Sequence, residues 1–236
     1  MTKLAERLLE KHFGDDVHPY RAFEDEVGRW LSPTAALLDA GCGRTAPVLR
    51  KYLGRASRLI GVDVVDFDHS SQGLELHRAD LINMPVESGS VDVVMARSVM
   101  EHIVEPERVY AETFRILKAG GHFIFLTGNL WDYAALIAKA IPNRFHPSLV
   151  SKLEGRAPED VFPVAYKTNT YGAVRRYAAR AGFEIVRFDY LGQYPAYFMF
   201  NGLLFWVATG YEKLLRRFDA LKVLKGWILV TLRRSR

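Results

Sequence analysis

The chain carries a single cysteine, Cys42, so it cannot close a disulfide within itself. That fits a reducing compartment and gives the expectation of a cytoplasmic protein. The first ten residues mix Lys, Arg and Glu among their leucines, and the apolar core of a signal peptide is missing there. No two histidines have the i, i+4 spacing of a metal-binding helix, so no metal site is expected. Long runs of like charge are also missing. The net charge is +5, and Arg175, Arg176, Arg180, Arg216, Arg217, Arg233, Arg234 and Arg236 crowd the last third. That crowding is either a face for anionic lipid or nucleic acid, or a set of solvated helix faces with a basic tail. Wholesale disorder is excluded by a 49% hydrophobic and 25% charged composition.

Against these absences stands one dense segment, Leu37-Leu38-Asp39-Ala40-Gly41-Cys42-Gly43-Arg44. Buried-type leucines run into an acid and then two glycines one residue apart. A parallel strand that breaks this way lets its backbone approach a nucleoside closely. Gly61-Val62-Asp63 follows about one βα unit later, which suits a ribose-binding acid.

Periodicity predicts two amphipathic helices, over 3–13 and 22–31, forming a cap before the sheet begins. From Ala36 the pattern alternates. Strands are predicted at 36–40, 58–63, 74–79, 91–96 and 122–127, and helices at 47–53 and 106–117, with a turn at 118–121. Beyond Gly128 a helix is predicted at 130–141 and an irregular insert at 142–169. A helix at 171–181 capped by Thr170 follows, with strand-like runs at 183–190 and 226–232. This reads as one α/β domain with a doubly wound, mostly parallel sheet. Residues 1–35 are its helical cap, 36–128 its cofactor-binding core, and 129–236 the insert, acceptor-side elements and last two strands.

Gly41-x-Gly43-x-x-Ala46 followed by Asp63 formally satisfies a dinucleotide fingerprint, so a nicotinamide-dependent oxidoreductase is one reading. A cofactor-binding module without catalysis is another. Asp39 argues against a dinucleotide, because a carboxylate two residues before the first glycine repels a diphosphate. The same carboxylate suits the ammonium and sulfonium of S-adenosylmethionine. Asp80-Leu81 ends the third strand with an acid able to accept from an adenine amino group and an apolar residue to pack on its ring.

These residues, with Val91–Arg97, Ser98-Val99-Met100-Glu101-His102 and Arg115-Ile116-Leu117-Lys118-Ala119-Gly120-Gly121, resemble class I S-adenosylmethionine-dependent methyltransferases. The small-molecule branch with a Glu-His pair after the fourth strand is the nearest kind. Thr45 departs from the family pattern, standing where a third glycine is usual. The resemblance implies a seven-stranded sheet whose last strand is antiparallel and inserted beside the fifth. It implies that Asp39, Gly41, Cys42 and Gly43 hold the methionine end of the cofactor. Asp63 and Val64 would hold the ribose, Asp80 and Leu81 the adenine, and Arg97 and Ser98 would floor the reactive methyl.

Methyl transfer is an in-line displacement on an activated sulfonium carbon, so the protein mainly aligns and desolvates. His102 is the candidate base, its alternative being a structural tie. Cys42 reads as a small turn residue. Within such folds, base-directed enzymes carry an acidic or Asn residue, two prolines and an aromatic after the fourth strand. Here Ala96-Arg97-Ser98-Val99 stands there, so a small-molecule or lipid-like acceptor is expected and a nucleic acid is not. Residues 190–211 have no charge. They suit an aromatic acceptor wall, a peripheral membrane patch or a helix buried on the sheet, with a basic helix expected over 212–224. The acceptor's identity and the oligomeric state stay open.

Overall fold

A computed structural model describes residues 2–14, 16–67, 73–133 and 162–235. Most of the predicted helix over 130–141 and of the insert over 142–169 lies outside them. Helices α1 (Lys3–Phe13) and α2 (Pro19–Trp30) precede strand β1 (Ala36–Ala40). Then come β2 (Arg58–Asp63), β3 (Glu75–Arg78), β4 (Val91–Arg97), α3 (Pro106–Ile116) and β5 (Leu117–Gly128). The chain closes with α4 (Tyr171–Ala181), β6 (Phe183–Leu191), α5 (Gly202–Arg217) and β7 (Trp227–Arg234).

The seven strands form one sheet in the order β3-β2-β1-β4-β5-β7-β6. β1 to β5 pair in parallel, and β7 runs antiparallel to both β5 and β6, as the resemblance implied. Side chains alternate between two cores, as the period of two requires. Leu38, Val94, Phe123, Phe125 and Val230 face α3 and α4, where Tyr110, Val174 and Tyr177 cover them. Leu37, Val93, Met95, Ile124 and Leu229 face the other side, under Phe23, Val27, Leu49 and Tyr52. The apolar runs of β1 and β4 are therefore buried on both faces, the usual state of a parallel sheet.

Several elements differ from the sequence expectation. The helix predicted at 47–53 is a short 3-10 turn, Leu49–Tyr52, ended by Gly54 at φ +75°. The turn predicted at 118–121 lies inside β5. There Leu117 pairs with Val91 and His122 with Val93, and the surplus residues bulge out around Gly120 at φ +80°. The helix expected at 212–224 begins instead at Gly202, because Asn201 caps it by accepting from the backbone N–H of Leu203 and Leu204. A 3-10 turn, Asp219–Leu224, follows it.

The expected N-terminal cap is divided between two jobs. α2 lies on the sheet, anchored by buried Glu26. That carboxylate accepts from Trp30 Nε1 at 3.0 Å, from the Thr231 hydroxyl at 2.9 Å and from Arg187. α1 packs on α5, sharing a small core of Ala5, Phe13 and Phe205. The two helices run parallel, since Leu4 lies against Gly202 while Asp16 pairs with Arg216. The uncharged stretch thus begins in the sheet, with Tyr190 and Leu191 in β6, and its helical part packs on α1.

Candidate active site

The carboxyl ends of β1 to β4 converge on a cleft of about 690 Å³, within the size range of small-molecule sites. All ten expected cofactor residues and His102 border it. At the end of β1 the backbone turns through Gly41 at φ +82° and Gly43 at φ +72°, a region L side chains enter only under strain. The two glycines differ in what surrounds them. A Cβ on Gly41 would sit 2.3 Å from a Val99 methyl, whereas one on Gly43 would meet nothing within 4 Å. Gly41 is thus needed for packing, and Gly43 keeps an open approach.

Asp63, at the end of β2, joins this turn to its own. One carboxylate oxygen accepts from Gly43 N–H at 2.7 Å, and the other from Val64 N–H at 2.7 Å and Val65 N–H at 3.3 Å. Its carboxylate builds the site as well as facing it. Asp80 accepts from Ile82 N–H at 3.1 Å and fixes the turn after β3, with buried Leu81 beside it.

Asp39 is buried, at 2% exposure. One of its carboxylate oxygens, Oδ2, has no hydrogen-bond partner among the described residues. Burial pushes its carboxyl up to about 7; the nearby Arg97 charge pulls part of the way back and Asp63 adds to the rise. A buried acceptor without a donor is costly, so its retention at a cleft wall marks a place for a cationic or N–H-bearing group. Cys42 borders the same turn, but its Sγ would sit 2.8 Å from a Cβ on Gly61 and so packs against β2. Burial, with the Asp39 and Asp63 charges, pushes the thiol far above its ordinary range, which rules it out as a nucleophile.

Two residues of α2 back the cleft wall and were not anticipated. Tyr20 and Glu24 share one helix face at i, i+4 spacing. Arg97 stacks its guanidinium 4.3 Å from the Tyr20 ring centroid and pairs with Glu24 at 3.3 Å. The Tyr20 hydroxyl lies 3.5 Å from Ser98 Oγ. Ser98 itself holds φ +57°, a strained conformation for serine. Arg97 is therefore turned toward α2, and the expected floor of the cleft is a floor shared with the N-terminal helix. Phe162 supplies a further wall.

His102 Nδ1 lies 3.0 Å from the Pro163 carbonyl. A carbonyl only accepts, so this bond assigns the proton to Nδ1 and leaves Nε2 as the free acceptor of the neutral ring. The neighbouring Glu101 accepts from the Thr127 hydroxyl at 2.6 Å, and its backbone carbonyl accepts from Ala165 and Tyr166 N–H. Glu101 thus ties β5 to the segment after 161, while the His102 ring reaches the cleft.

Residues 38–125 match the family model of the methyltransferase domain. That stretch carries the likeness to class I S-adenosylmethionine-dependent methyltransferases. Among relatives of this chain, the ubiquinone biosynthesis O-methyltransferase of Pectobacterium atrosepticum is 29% identical over 47% of the chain and 53% of its own length. The sterol 24-C-methyltransferase of Schizosaccharomyces pombe is 30% identical over 39% of the chain and 28% of its own length. The chain spans about half the length, or less, of the curated relatives it matches. Among solved structures, the [4+2]-cyclase SpnF superposes with a TM-score of 0.59 at 16% identity, over 98% of this chain and 93% of that one. The geranyl diphosphate C-methyltransferase of Streptomyces coelicolor A3(2) gives 0.55 at 15% identity, over 100% of this chain and 84% of that one. Those two likenesses concern the fold.

Proposed function

We propose that the protein transfers a methyl group from S-adenosylmethionine to a small-molecule or lipid-like acceptor. The observation that carries this reading is the unpartnered, buried Asp39 carboxylate at the end of β1, one strand end away from Asp63. The residues fit that cofactor. Asp39 would pair with its cationic methionine end, the Gly41–Gly43 backbone would pass close beside it, Asp63 and Val64 would take the ribose, and Asp80 and Leu81 the adenine. When bound, the cofactor supplies a methyl group already activated on sulfonium sulfur. The chain's own contribution is to align, to exclude water and to hold one proton. His102 Nε2, with Nδ1 committed to Pro163, is the group that accepts the proton of an acceptor hydroxyl or ammonium. Ser98, held in place beside Tyr20, positions the acceptor edge.

A nicotinamide cofactor is the second reading, from the same glycines. Its diphosphate would lie against Asp39 and Asp63, two acids at the turn where a phosphate site normally offers bare N–H groups. A nucleic acid acceptor finds no support in Ala96–Val99. Relatives named for sterols and for ubiquinone biosynthesis favour an apolar acceptor. The single cysteine, buried and bordering the cleft, favours a reducing compartment such as the cytoplasm.

Incubation with S-adenosylmethionine labelled in its methyl group and a host extract, followed by separation of lipid and aqueous fractions, tests this. The expected product carries the label and appears in the organic phase. Consumption of NADH by the same extract, with no transfer of label, would refute the reading.

A further inference from the structure

Helix α5 has two apolar sides. Phe205, Ala208 and Leu215 face inward, where Phe205 joins the small core shared with α1. The opposite side carries Leu203, Trp206, Val207 and Leu214 at the i, i+3, i+4 spacing of a second face. Leu203 is 66% exposed, Trp206 59% and Val207 57%, and Phe200 just before the helix is 65% exposed. Leu203, Trp206, Val207 and Leu214 belong to none of the three buried apolar cores.

Its charge is as ordered as its apolarity. The exposed side is apolar through its first two turns and ends in Lys213 and Arg217. The one acid of α5, Glu212, is turned inward and buried. Arg216 is engaged with Asp16 of the chain below α1. Lys213 touches the His12 ring at 3.4 Å, and neither it nor Arg217 has an acidic partner among the described residues. An outward side with a tryptophan and leucines followed by such basic residues is complementary to anionic headgroups over an acyl layer. No helix among the described residues is long and apolar enough to cross a membrane, so α5 would lie in the interface and not span it. The helix also reaches the segment after β5, since Tyr211 meets the ring of Tyr133, five residues beyond the end of that strand.

We infer that the outward side of α5 docks the protein on an anionic phospholipid surface. Trp206 and Leu203 enter the acyl boundary, and Lys213 and Arg217 meet the phosphates. Apolar insertion and basic attraction are each weak alone, and together they give a reversible anchor. This inference stands apart from the methyl-transfer reading, and the two fail separately.

Flotation of the full chain with vesicles of phosphatidylcholine, alone or mixed with phosphatidylglycerol, tests it. The protein should float with the mixed vesicles, weakly with phosphatidylcholine alone, and less as salt rises. The pair Leu203→Ser and Trp206→Ser should lower partitioning by about tenfold or more. The pair Lys213→Glu and Arg217→Glu should abolish the preference for anionic vesicles. All these side chains are exposed, so melting temperature and affinity for S-adenosylhomocysteine should stay unchanged. No flotation, or equal flotation of the Ser pair and the parent, would overturn the inference. So would light scattering that shows a dimer which the Ser pair converts to monomer while neither form binds vesicles, because α5 would then serve self-association.

Discussion

Asp39→Asn keeps the shape of the side chain and removes its charge. In the ligand-free fold the Asp39 carboxyl sits at about 7, above its ordinary 3.8. A raised carboxyl favours the protonated form in the fold. The associated stability is therefore fully present below about pH 4 and is lost as pH rises through about 7, by up to about 4 kcal/mol. Asn carries no such penalty, although its N–H groups gain no assured acceptor in place of the carboxylate. A net gain of about 1–3 kcal/mol at about pH 8 follows, which is several degrees of melting temperature for a chain of this size. Binding should move the other way. Losing a charge-assisted bond to the ligand's ammonium weakens S-adenosylhomocysteine by about tenfold to a hundredfold. In the parent, the proton on Asp39 competes with the ligand, so affinity should rise roughly fiftyfold between about pH 5 and about pH 7. In Asp39→Asn that slope should flatten. Titration calorimetry in buffers of different ionisation heat reads the affinity and the proton released, and differential scanning fluorimetry reads the stability. A variant that melts lower than the parent at about pH 8, and binds S-adenosylhomocysteine with unchanged affinity and pH slope, would refute the reasoning.

Three further outcomes are expected. Gly41→Ala drives a Cβ to 2.3 Å from Val99 and should cost about 2 kcal/mol or more of stability, while Gly43→Ala costs about 1 kcal/mol from its positive φ; urea melts of both variants check the ranking. His102→Gln should lower kcat by about a hundredfold and leave S-adenosylhomocysteine affinity within about twofold, if the acceptor must lose a proton; single-turnover transfer assays at several pH values separate the two effects. Glu26→Gln breaks the buried link between α2 and β7 and should cost about 2–4 kcal/mol. Burial alone would push the Glu26 carboxyl up, but hydrogen bonds from Trp30, Thr231 and Arg187 outweigh it and hold it below its ordinary value. Its stabilisation is thus present above about pH 4.5 and lost as pH falls, so the gap between parent and variant should narrow in acid melts.

The centre of the sheet was legible from the sequence because β1 and β4 are buried on both faces and read as mainly apolar runs. Asp39, Asp63 and Asp80 stood out because each lies at or just past the carboxyl end of a strand, and the fold brings all three to one cleft. The bulge in β5 was hidden, since Lys118–Gly121 has the composition of a turn and only pairing with β4 shows that the strand continues on both sides of it. Tyr20 and Glu24 were hidden because nothing local says which side of α2 looks back at β4. The start of α5 was missed because its first turns are bulky and aromatic, poor helix formers on their own. Asn201 and packing against α1 decide that start, and the second of these is a contact between residues about two hundred positions apart.

Three acids at strand ends line the cleft, and the proposed ligand is a sulfonium nucleoside. Isothermal titration of the purified chain with S-adenosylhomocysteine, repeated in the presence of excess NADH, puts that to the most direct test. The predicted result is one S-adenosylhomocysteine per chain, an affinity that NADH leaves unchanged, and a proton released at about pH 6. Heat from NADH with none from S-adenosylhomocysteine would contradict it.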